Sequence, residues 1–221
     1  MSQARYDGFA DWYERVFATS ELAHEPRDAA FRLLGEGAGR LLDVGCGTGA
    51  HTAAFAERGW QVLGVDISSD QLRLARDRGL EVIQADAAEL SFDDASFDAV
   101  VSMWTHTDVD DFSALLREVA RVLRPGGPFV YIGGHPCFVG PHSRFIEAKG
   151  VPTLLQGYWK QGRYDDAQGI SPTGLRAKVG AVHLPLGLFV QSFVDAGFRL
   201  ERFEELRTRE YPYTVALRCR R

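Results

Sequence analysis

A loop with glycine at every second position, placed between an apolar run and a helix-forming run, constrains this chain most. The apolar run is residues 41–44, the loop carries Gly45, Gly47 and Gly49, and residues 52–58 have the composition of a helix. This order predicts a strand, a tight loop and a helix. Because glycine permits a positive φ and a close approach to the backbone, the loop is typical of a site for an adenosine-containing cofactor.

A second apolar run, residues 60–65, ends in the acid Asp66. The carboxyl ends of adjacent parallel strands lie side by side in a βαβ unit, so we expect Asp66 to face the loop and to accept both ribose hydroxyls of the cofactor. The dinucleotide pattern G-x-G-x-x-G would need a third glycine where this chain has Ala50. A cofactor without a pyrophosphate is favoured, and Asp43 is a candidate partner for its amino acid part.

These residues resemble the first motif of the class I S-adenosylmethionine-dependent methyltransferases, an acid two residues before G-x-G-x-G. The resemblance covers about residues 35–135 and implies S-adenosyl-L-methionine as the cofactor. It implies that Gly45, Cys46, Gly47 and Gly49 line the cofactor and that Asp43 lies near its methionine part.

The short strand-like segment 81–87 also resembles the family, and this implies that Asp86 binds the adenine amino group while the backbone of Ala87 meets the ring. We expect further cofactor contacts at Ile67 and Met103, which follow or end strands. Two roles are open for Tyr13. Its hydroxyl is a candidate hydrogen-bond partner of the cofactor carboxylate, and its ring fits the apolar face of an N-terminal helix equally well.

The predicted fold is α/β, a Rossmann-like doubly wound sheet of seven strands. It is mostly parallel with an antiparallel last strand, and helices cover both faces. We expect a single domain in which residues 1–35 form an N-terminal helical cover and 36–133 the cofactor-binding core. Residues 134–182 are expected to be an insertion over the substrate, and 183–221 a C-terminal helix with two strands.

In this family's chemistry the methyl group sits on a sulfonium, so alignment of the acceptor matters most and a base is needed only when the acceptor loses a proton. His106 and His135 follow the predicted fourth and fifth strands, where an open α/β sheet places its site, and are the candidate catalytic residues. Each has an alternative role in holding its own loop. His183 is a weaker candidate, and His24, His51 and His142 are expected to be solvated.

The amino acid composition restricts the classes of partner that this chain is expected to bind. The chain has 25 Lys and Arg against 30 Asp and Glu, a formal charge of -5, and no basic run, which disfavours nucleic acid. It also shows no apolar signal core and no run long enough for a membrane helix. We therefore expect a cytoplasmic protein without a membrane partner, and the three isolated cysteines predict no metal site.

Together these observations predict methyl transfer from S-adenosylmethionine to an O, N, S or C atom of a small-molecule metabolite. One alternative is a protein of the same fold that binds the cofactor without methyl transfer, as a pericyclic catalyst or a regulatory partner. A less favoured one is an NAD-dependent oxidoreductase, which would share Asp66. The acceptor and the oligomeric state are not predicted.

Overall fold

Eleven strands and seven helices are found in the computed structural model, which describes residues 4–18, 24–37, 39–146, 151–166, 174–207 and 209–221. The strands are β1 (Arg40–Val44), β2 (Gln61–Asp66), β3 (Val82–Gln84), β4 (Ala99–Met103), β5 (Pro128–Gly134), β6 (Ser143–Ile146), β7 (Val151–Leu154), β8 (Gly162–Tyr164), β9 (Ala181–His183), β10 (Arg199–Leu206) and β11 (Thr214–Arg220). The helices are α1 (Ala10–Tyr13), continued by a π-helical turn (Glu14–Ala18), α2 (His24–Leu34), α3 (Ala50–Ala56), α4 (Ser69–Asp77), α5 (Phe112–Val122), α6 (Leu175–Val179) and α7 (Leu186–Asp195).

Seven of the strands form one sheet in the order β10-β11-β5-β4-β1-β2-β3. Strands β1 to β5 are parallel to one another, and β11 runs antiparallel to both β5 and β10. Since β10 is antiparallel to β11, it again runs in the direction of β5. The predicted mostly parallel sheet with an antiparallel last strand is confirmed, as is the hairpin at its edge.

The sheet has an apolar layer on each face because side chains alternate along its buried strands. Leu42 and Val44 of β1 belong to a cluster with α5 and α7, whereas Leu41 belongs to a second cluster with α2 and Phe55 of α3. The two clusters are the core of the predicted doubly wound arrangement, with helices on both faces.

The N-terminal segment, predicted as part of a helical cover, contains turns as well as a short helix. Residues 5–9 form turns, and only Ala10–Tyr13 is α-helical before the π-helical turn. Gly8 has a φ of +82°, and its N–H donates to Asp70 Oδ2 at 3.0 Å, so the chain is held to α4 by a turn. A tertiary contact here overrides the helical spacing of the aromatic residues.

Residues 134–182 contain small elements of their own rather than an aperiodic loop. Strands β6 and β7 form one antiparallel pair, β8 and β9 form a second, and α6 lies between β8 and β9 in the chain. Strand β9 crosses the predicted boundary at residue 183. Within the described residues, no helix has the length and apolarity that a membrane span requires.

Candidate functional site

The glycine loop between β1 and α3 is held by backbone geometry that other residues would strain. Gly45 and Gly49 have φ values of +76° and +79°. A Cβ on Gly45 would lie 2.2 Å from Thr105 Cγ2, and one on Gly49 would lie 2.4 Å from Leu80 Cδ1. Gly45 therefore lets the loop approach the turn after β4, and Gly49 lets α3 begin in close contact with the C-terminal end of α4.

The amides of this loop bond within the protein. Gly45 N and Cys46 N both donate to Val65 O, at 2.8 and 3.0 Å, and Gly49 N donates to Cys46 O at 3.0 Å. Gly47 N donates to Asp66 Oδ2 at 2.9 Å. Because these donors are already engaged, the loop does not present the row of free N–H groups that cradles a phosphate.

Asp66 ties the loop to the next strand. Its Oδ1 accepts from Ser68 N at 2.9 Å while its Oδ2 accepts from Gly47 N, so each oxygen keeps a further lone pair for a ligand hydroxyl. Burial raises the pKa of this carboxyl to about 6, although hydrogen bonds from the backbone of Ser68 and Gly47 act in the opposite direction. At neutral pH the group is mostly ionised and is a strong acceptor.

Asp43 lies at the end of β1 and is 3% exposed. Burial raises its pKa to about 7, against the effect of the Thr52 hydroxyl, which donates to Asp43 Oδ2 at 2.6 Å. The nearby carboxylate of Asp66 raises the pKa further. Asp43 is therefore close to half protonated at neutral pH, and a cationic group of a ligand would favour its charged form.

A small cavity, partly open to solvent, lies between this loop, the N-terminal cover and the end of β4. Its walls are Tyr13, Asp43, Gly45, Cys46, Gly47, Thr48, Ala50, His51, Met103 and Trp104. Six of the predicted cofactor residues are among them. Thr48, Ala50 and His51 were missed by the sequence reasoning, although the signal was simple: they directly continue the loop into the first turn of α3.

The remaining predicted cofactor residues, Gly49, Asp66, Ile67, Asp86 and Ala87, are not among the residues that line this cavity. Ile67 follows Asp66, and its carbonyl accepts from Gln84 Nε2 at 3.0 Å. Asp86 comes after β3, and its Oδ1 accepts from Ala88 N at 3.0 Å, while Ala87 packs partly buried against the core. These residues, like Gly49, follow or face the ends of β1 to β3. Their contacts with a cofactor stay predictions.

His106 lies in the turn after β4 and is 2% exposed. Its Nδ1 is hydrogen-bonded to the hydroxyl of Tyr131, and its ring packs against Phe112 and Phe189 at centroid distances of 5.9 and 5.1 Å. Burial, and to a smaller extent the charge of Arg176, lowers its pKa to about 3. The imidazole is therefore neutral near pH 7 and a weak base, below the range that favours general-base catalysis.

His135 follows β5 and has both ring nitrogens engaged. Its Nδ1 accepts from Cys137 N at 3.1 Å, so the proton is on Nε2, which lies 2.8 Å from Glu205 Oε1. Burial lowers its pKa despite the carboxylate. The geometry fits the alternative role that the sequence left open, orientation of its loop, and the catalytic roles of His135 and His106 stay predictions.

Two histidines expected to be solvated are not. His142 is 2% exposed, and its Nε2 donates to Cys137 O at 2.9 Å. His51 lines the cavity, and burial lowers its pKa to about 4. His24 is exposed, as expected. The expectation failed because segments distant in sequence cover both residues: the N-terminal cover lies over His51 in the first turn of α3, and β9 packs against His142.

A partly buried ion pair joins the segments that cover the site. Arg176 Nη1 of α6 donates to Asp108 Oδ1 at 2.6 Å, and the hydroxyl of Tyr6 donates to the same oxygen at 3.2 Å. Arg163 Nη2 of β8 donates to the backbone oxygen of Asp108 at 3.0 Å. The turn after β4 thereby fixes both the N-terminal cover and the insertion.

Aromatic side chains surround this pair. Tyr6 meets Tyr13 edge to face at 5.4 Å, and Trp104 meets Tyr213 at 6.3 Å. Burial raises the pKa of Tyr13 and of Tyr164 to about 12, so both phenols are neutral donors. The chamber thus combines apolar ring faces with a few hydroxyl groups, which is the usual character of a small-molecule site.

The residues present fit S-adenosylmethionine better than a dinucleotide. Asp66 offers two oxygens for a pair of ribose hydroxyls, and Asp43 offers an acidic group in the cavity wall. The engaged amides of Gly45, Cys46 and Gly47 leave little for a pyrophosphate.

Residues 42–131 match the family model of a methyltransferase domain. A fatty-acid O-methyltransferase of Mycolicibacterium smegmatis is 42% identical over 105 residues, which are 45% of this chain and 38% of that protein. A phosphatidylethanolamine N-methyltransferase of Cereibacter sphaeroides is 33% identical over 138 residues, which are 59% of this chain and 68% of the relative.

Among solved structures, an S-adenosylmethionine dependent methyltransferase of Mesorhizobium loti is similar over 97% of this chain and 99% of its own, with a TM-score of 0.73 and 27% identity. The chain thus spans between 38% and 68% of the length of the two curated relatives and nearly the whole of this solved structure.

Proposed function

We propose that this chain, which belongs to the family of S-adenosylmethionine-dependent methyltransferase domains, transfers the cofactor's methyl group to a small lipid-like molecule. The cofactor, when bound, supplies a methyl group on a sulfonium, which is already a good leaving group. The protein then has two tasks: it must hold the cofactor, and it must align the acceptor atom for in-line attack.

The observation that carries the proposal is the position of Asp66. Its two oxygens hold the glycine loop and the start of α4 at 2.9 Å each, and both retain lone pairs at the carboxyl ends of β1 and β2. This is the crevice in which an open α/β sheet binds its ligand. We place the ribose at Asp66, which is bonded to Gly47 of the cavity wall, and the amino acid part near Asp43 and Tyr13, which line the cavity.

The aromatic chamber supports a small acceptor. Met103 and Trp104 end β4 at the cavity, and Tyr13 closes it from the N-terminal cover. Trp104 has a φ of +66°, an uncommon conformation for a bulky residue, and its backbone N–H donates to Ile132 O at 2.6 Å. We propose that this fixed tryptophan positions the acceptor against the methyl group.

The lipid-like character of the acceptor is supported by the relatives, which are named for a fatty acid and for phosphatidylethanolamine. It is also supported by the ring faces of Trp104 and Tyr213, which suit an apolar group better than a highly polar one. We propose a cytoplasmic location and no nucleic acid partner, as the sequence predicts.

Formation of S-adenosylhomocysteine tests the proposal. Purified protein is incubated with S-adenosylmethionine and a panel of fatty acids, phospholipids and quinols, and the product is quantified. Acceptor-dependent product supports the proposal. Cofactor binding without product from any acceptor would favour the alternative, a protein that binds the cofactor without transfer, and a response to NAD alone would overturn the cofactor assignment.

The same assay tests the predicted base. His106→Ala should lower the turnover number and leave the affinity for S-adenosylhomocysteine nearly unchanged, because His106 lies outside the cavity wall and contacts Tyr131. Tyr131→Phe is the matched control, since it removes that hydrogen bond and keeps the imidazole. Equal losses in both variants would assign His106 a positioning role, and full activity of His106→Ala would exclude it as the base.

A further inference from the structure

Two aspartates exchange hydrogen bonds between the N-terminal cover and the start of α4. Asp7 Oδ1 accepts from Asp70 N at 3.2 Å, and Asp70 Oδ2 accepts from Gly8 N at 3.0 Å and from Ala10 N at 3.4 Å. The N–H groups of Asp70 and Ala10 lie in the first turns of α4 and α1, where a helix has no acceptor of its own. Each segment therefore caps the other, and we call the pair of Asp7 and Asp70 the clasp.

The clasp includes the buried hydroxyl of Ser68, the N-cap residue of α4. Ser68 Oγ donates to Asp7 Oδ1 at 2.6 Å and accepts from Gln71 N at 3.1 Å. Ser68 is 1% exposed, so water does not take the place of either partner. Because a buried hydroxyl is destabilised when it loses its acceptor, Asp7 restrains Ser68 more strongly than an exposed hydrogen bond would.

Ser68 connects the clasp to the carboxylate at which we place the ribose. Ser68 N donates to Asp66 Oδ1 at 2.9 Å, and Asp66 Oδ2 accepts from Gly47 N at the same distance. The series of hydrogen bonds therefore runs from Asp7 through Ser68 to Asp66 and the glycine loop. A group that binds a ligand keeps its orientation when its own hydrogen-bond partners are held in place.

A second contact between the cover and α4 has a different character. Asp11 Oδ2 accepts from Arg73 Nη2 at 2.8 Å, and the side chains of this ion pair are 63% and 46% exposed. Exposed ion pairs contribute little to stability. Asp7 and Asp11 thus attach the same segment to the same helix, but Asp7 is the one bonded to Ser68.

We propose that Asp7 is a positioning residue for the cofactor, which acts through Ser68 to hold the Asp66 carboxylate toward the ribose hydroxyls. Asp7 is exposed and is not among the residues that line the cavity, so it holds residue 68 from outside the site. The N-terminal cover then has a second role besides closing the cavity with Tyr13. This role rests on the proposed placement of the ribose at Asp66, and it requires no methyl transfer.

Titration of the full chain with two ligands tests this role. S-adenosylhomocysteine has both ribose hydroxyls, and its 2′,3′-dideoxy analogue has neither. Wild type should bind the analogue about a hundredfold more weakly or worse, because two hydrogen bonds to a charged group are missing. Asp7→Ala should weaken the binding of S-adenosylhomocysteine by about tenfold and leave that of the analogue within about twofold of wild type.

The matched control is Asp11→Ala, which removes a carboxylate of the same cover from its contact with the same helix. It should bind both ligands as wild type does. Asp7→Asn should restore wild-type binding, because its amide oxygen can accept from Ser68 Oγ and Asp70 N. Because the effect passes through the Ser68 hydroxyl, Asp7→Ala combined with Ser68→Ala should bind S-adenosylhomocysteine no more weakly than Ser68→Ala alone.

Two results would overturn the role of Asp7 while the ribose placement stands. Asp7→Ala could lose the same affinity for both ligands, and Asp7 would then only hold the cover in place. Asp11→Ala could lose as much affinity for S-adenosylhomocysteine as Asp7→Ala does. If Asp7→Ala does not fold, Ser68→Ala is compared with wild type on the same two ligands, and an equal loss for both overturns the role in the same way.

A third result would remove the ribose placement together with the role of Asp7. Wild type could bind S-adenosylhomocysteine and the dideoxy analogue equally well, so that no group of the protein recognises the ribose hydroxyls. Failure of methyl transfer is a separate outcome, because neither titration contains an acceptor.

Discussion

Asp66→Ala should weaken cofactor binding more than any loss of folding stability can explain. The substitution removes two acceptors for ribose hydroxyls, and a hydrogen bond to a charged group contributes about 1.5 to 3 kcal/mol. It also removes the acceptors of Gly47 N and Ser68 N, which loosens the loop. The two ribose bonds alone amount to about 3 kcal/mol or more, and each 1.4 kcal/mol is about a factor of ten, so affinity should fall by at least about a hundredfold.

Isothermal titration with S-adenosylhomocysteine measures this change. The titration is made at about pH 8, two units above the pKa of Asp66, so that the wild-type carboxyl is ionised. The matched control is Asp111→Ala, because Asp111 Oδ1 caps α5 by accepting from Ala114 N at 2.8 Å and lies away from the cavity wall. The control should lose about 1 kcal/mol of folding stability and keep its affinity.

The reasoning is refuted if folded Asp66→Ala binds S-adenosylhomocysteine within about threefold of wild type, a difference of less than 1 kcal/mol. The reasoning is also refuted if Asp111→Ala loses as much affinity for S-adenosylhomocysteine as Asp66→Ala does, since the effect would then come from general destabilisation.

Two further predictions concern the protonation of carboxyls at the cofactor site and a substitution in the glycine loop. The raised pKa values of Asp43, about 7, and of Asp66, about 6, in the free protein mean that acid protonates both carboxyls, so cofactor affinity should be constant only above about pH 8, fall as Asp43 is protonated near pH 7 and fall more steeply below pH 6, where Asp66 is protonated as well. Titrations across this range check it, and a profile that does not steepen below pH 6 would remove Asp66 from the ribose site. Gly49→Ala should lower the free energy of unfolding by about 2 kcal/mol or more in urea denaturation, because a left-handed backbone at +79° is combined with contacts of the new Cβ at 2.4 Å to Leu80 Cδ1 and at 3.1 and 3.3 Å to Cβ and Cα of Ala75, which cannot move aside. Gly79→Ala, with a φ of +74° and no atom within 4 Å of its Cβ, should cost only about 1 kcal/mol, and equal losses would show that the contact with Leu80 does not matter.

The cofactor core could be predicted from sequence because its signals are local. The apolar run before Gly45 and the run before Asp66 each define a strand, and the loop between them fixes which strand ends face the ligand. Periodicity and turn chemistry over about 30 residues were sufficient for this part. The C-terminal hairpin was predictable for the same reason, from two β-type runs, and only its pairing with β5 required the structure.

The cover of the site could not be predicted, because its contacts join distant positions. Nothing around Asp108 in the sequence indicates Arg176 as its partner, and nothing around His142 indicates that β9 would bury it. His51 was misjudged for the same reason, since its burial depends on residues packed from outside the βαβ unit. Burial of an isolated polar residue is a property of the assembled fold rather than of its neighbours in sequence.

The two hydrogen bonds to Asp108 also bear on the order in which the parts of this molecule fold. Its partners Tyr6 and Arg176 are 102 and 68 positions away, whereas β1 and β2 pair across a single short helix. Long loops close at a larger entropic cost, so contacts of high sequence separation form late in folding. We therefore expect the local pairing of β1 with β2 to form before the cover closes over the chamber for the acceptor.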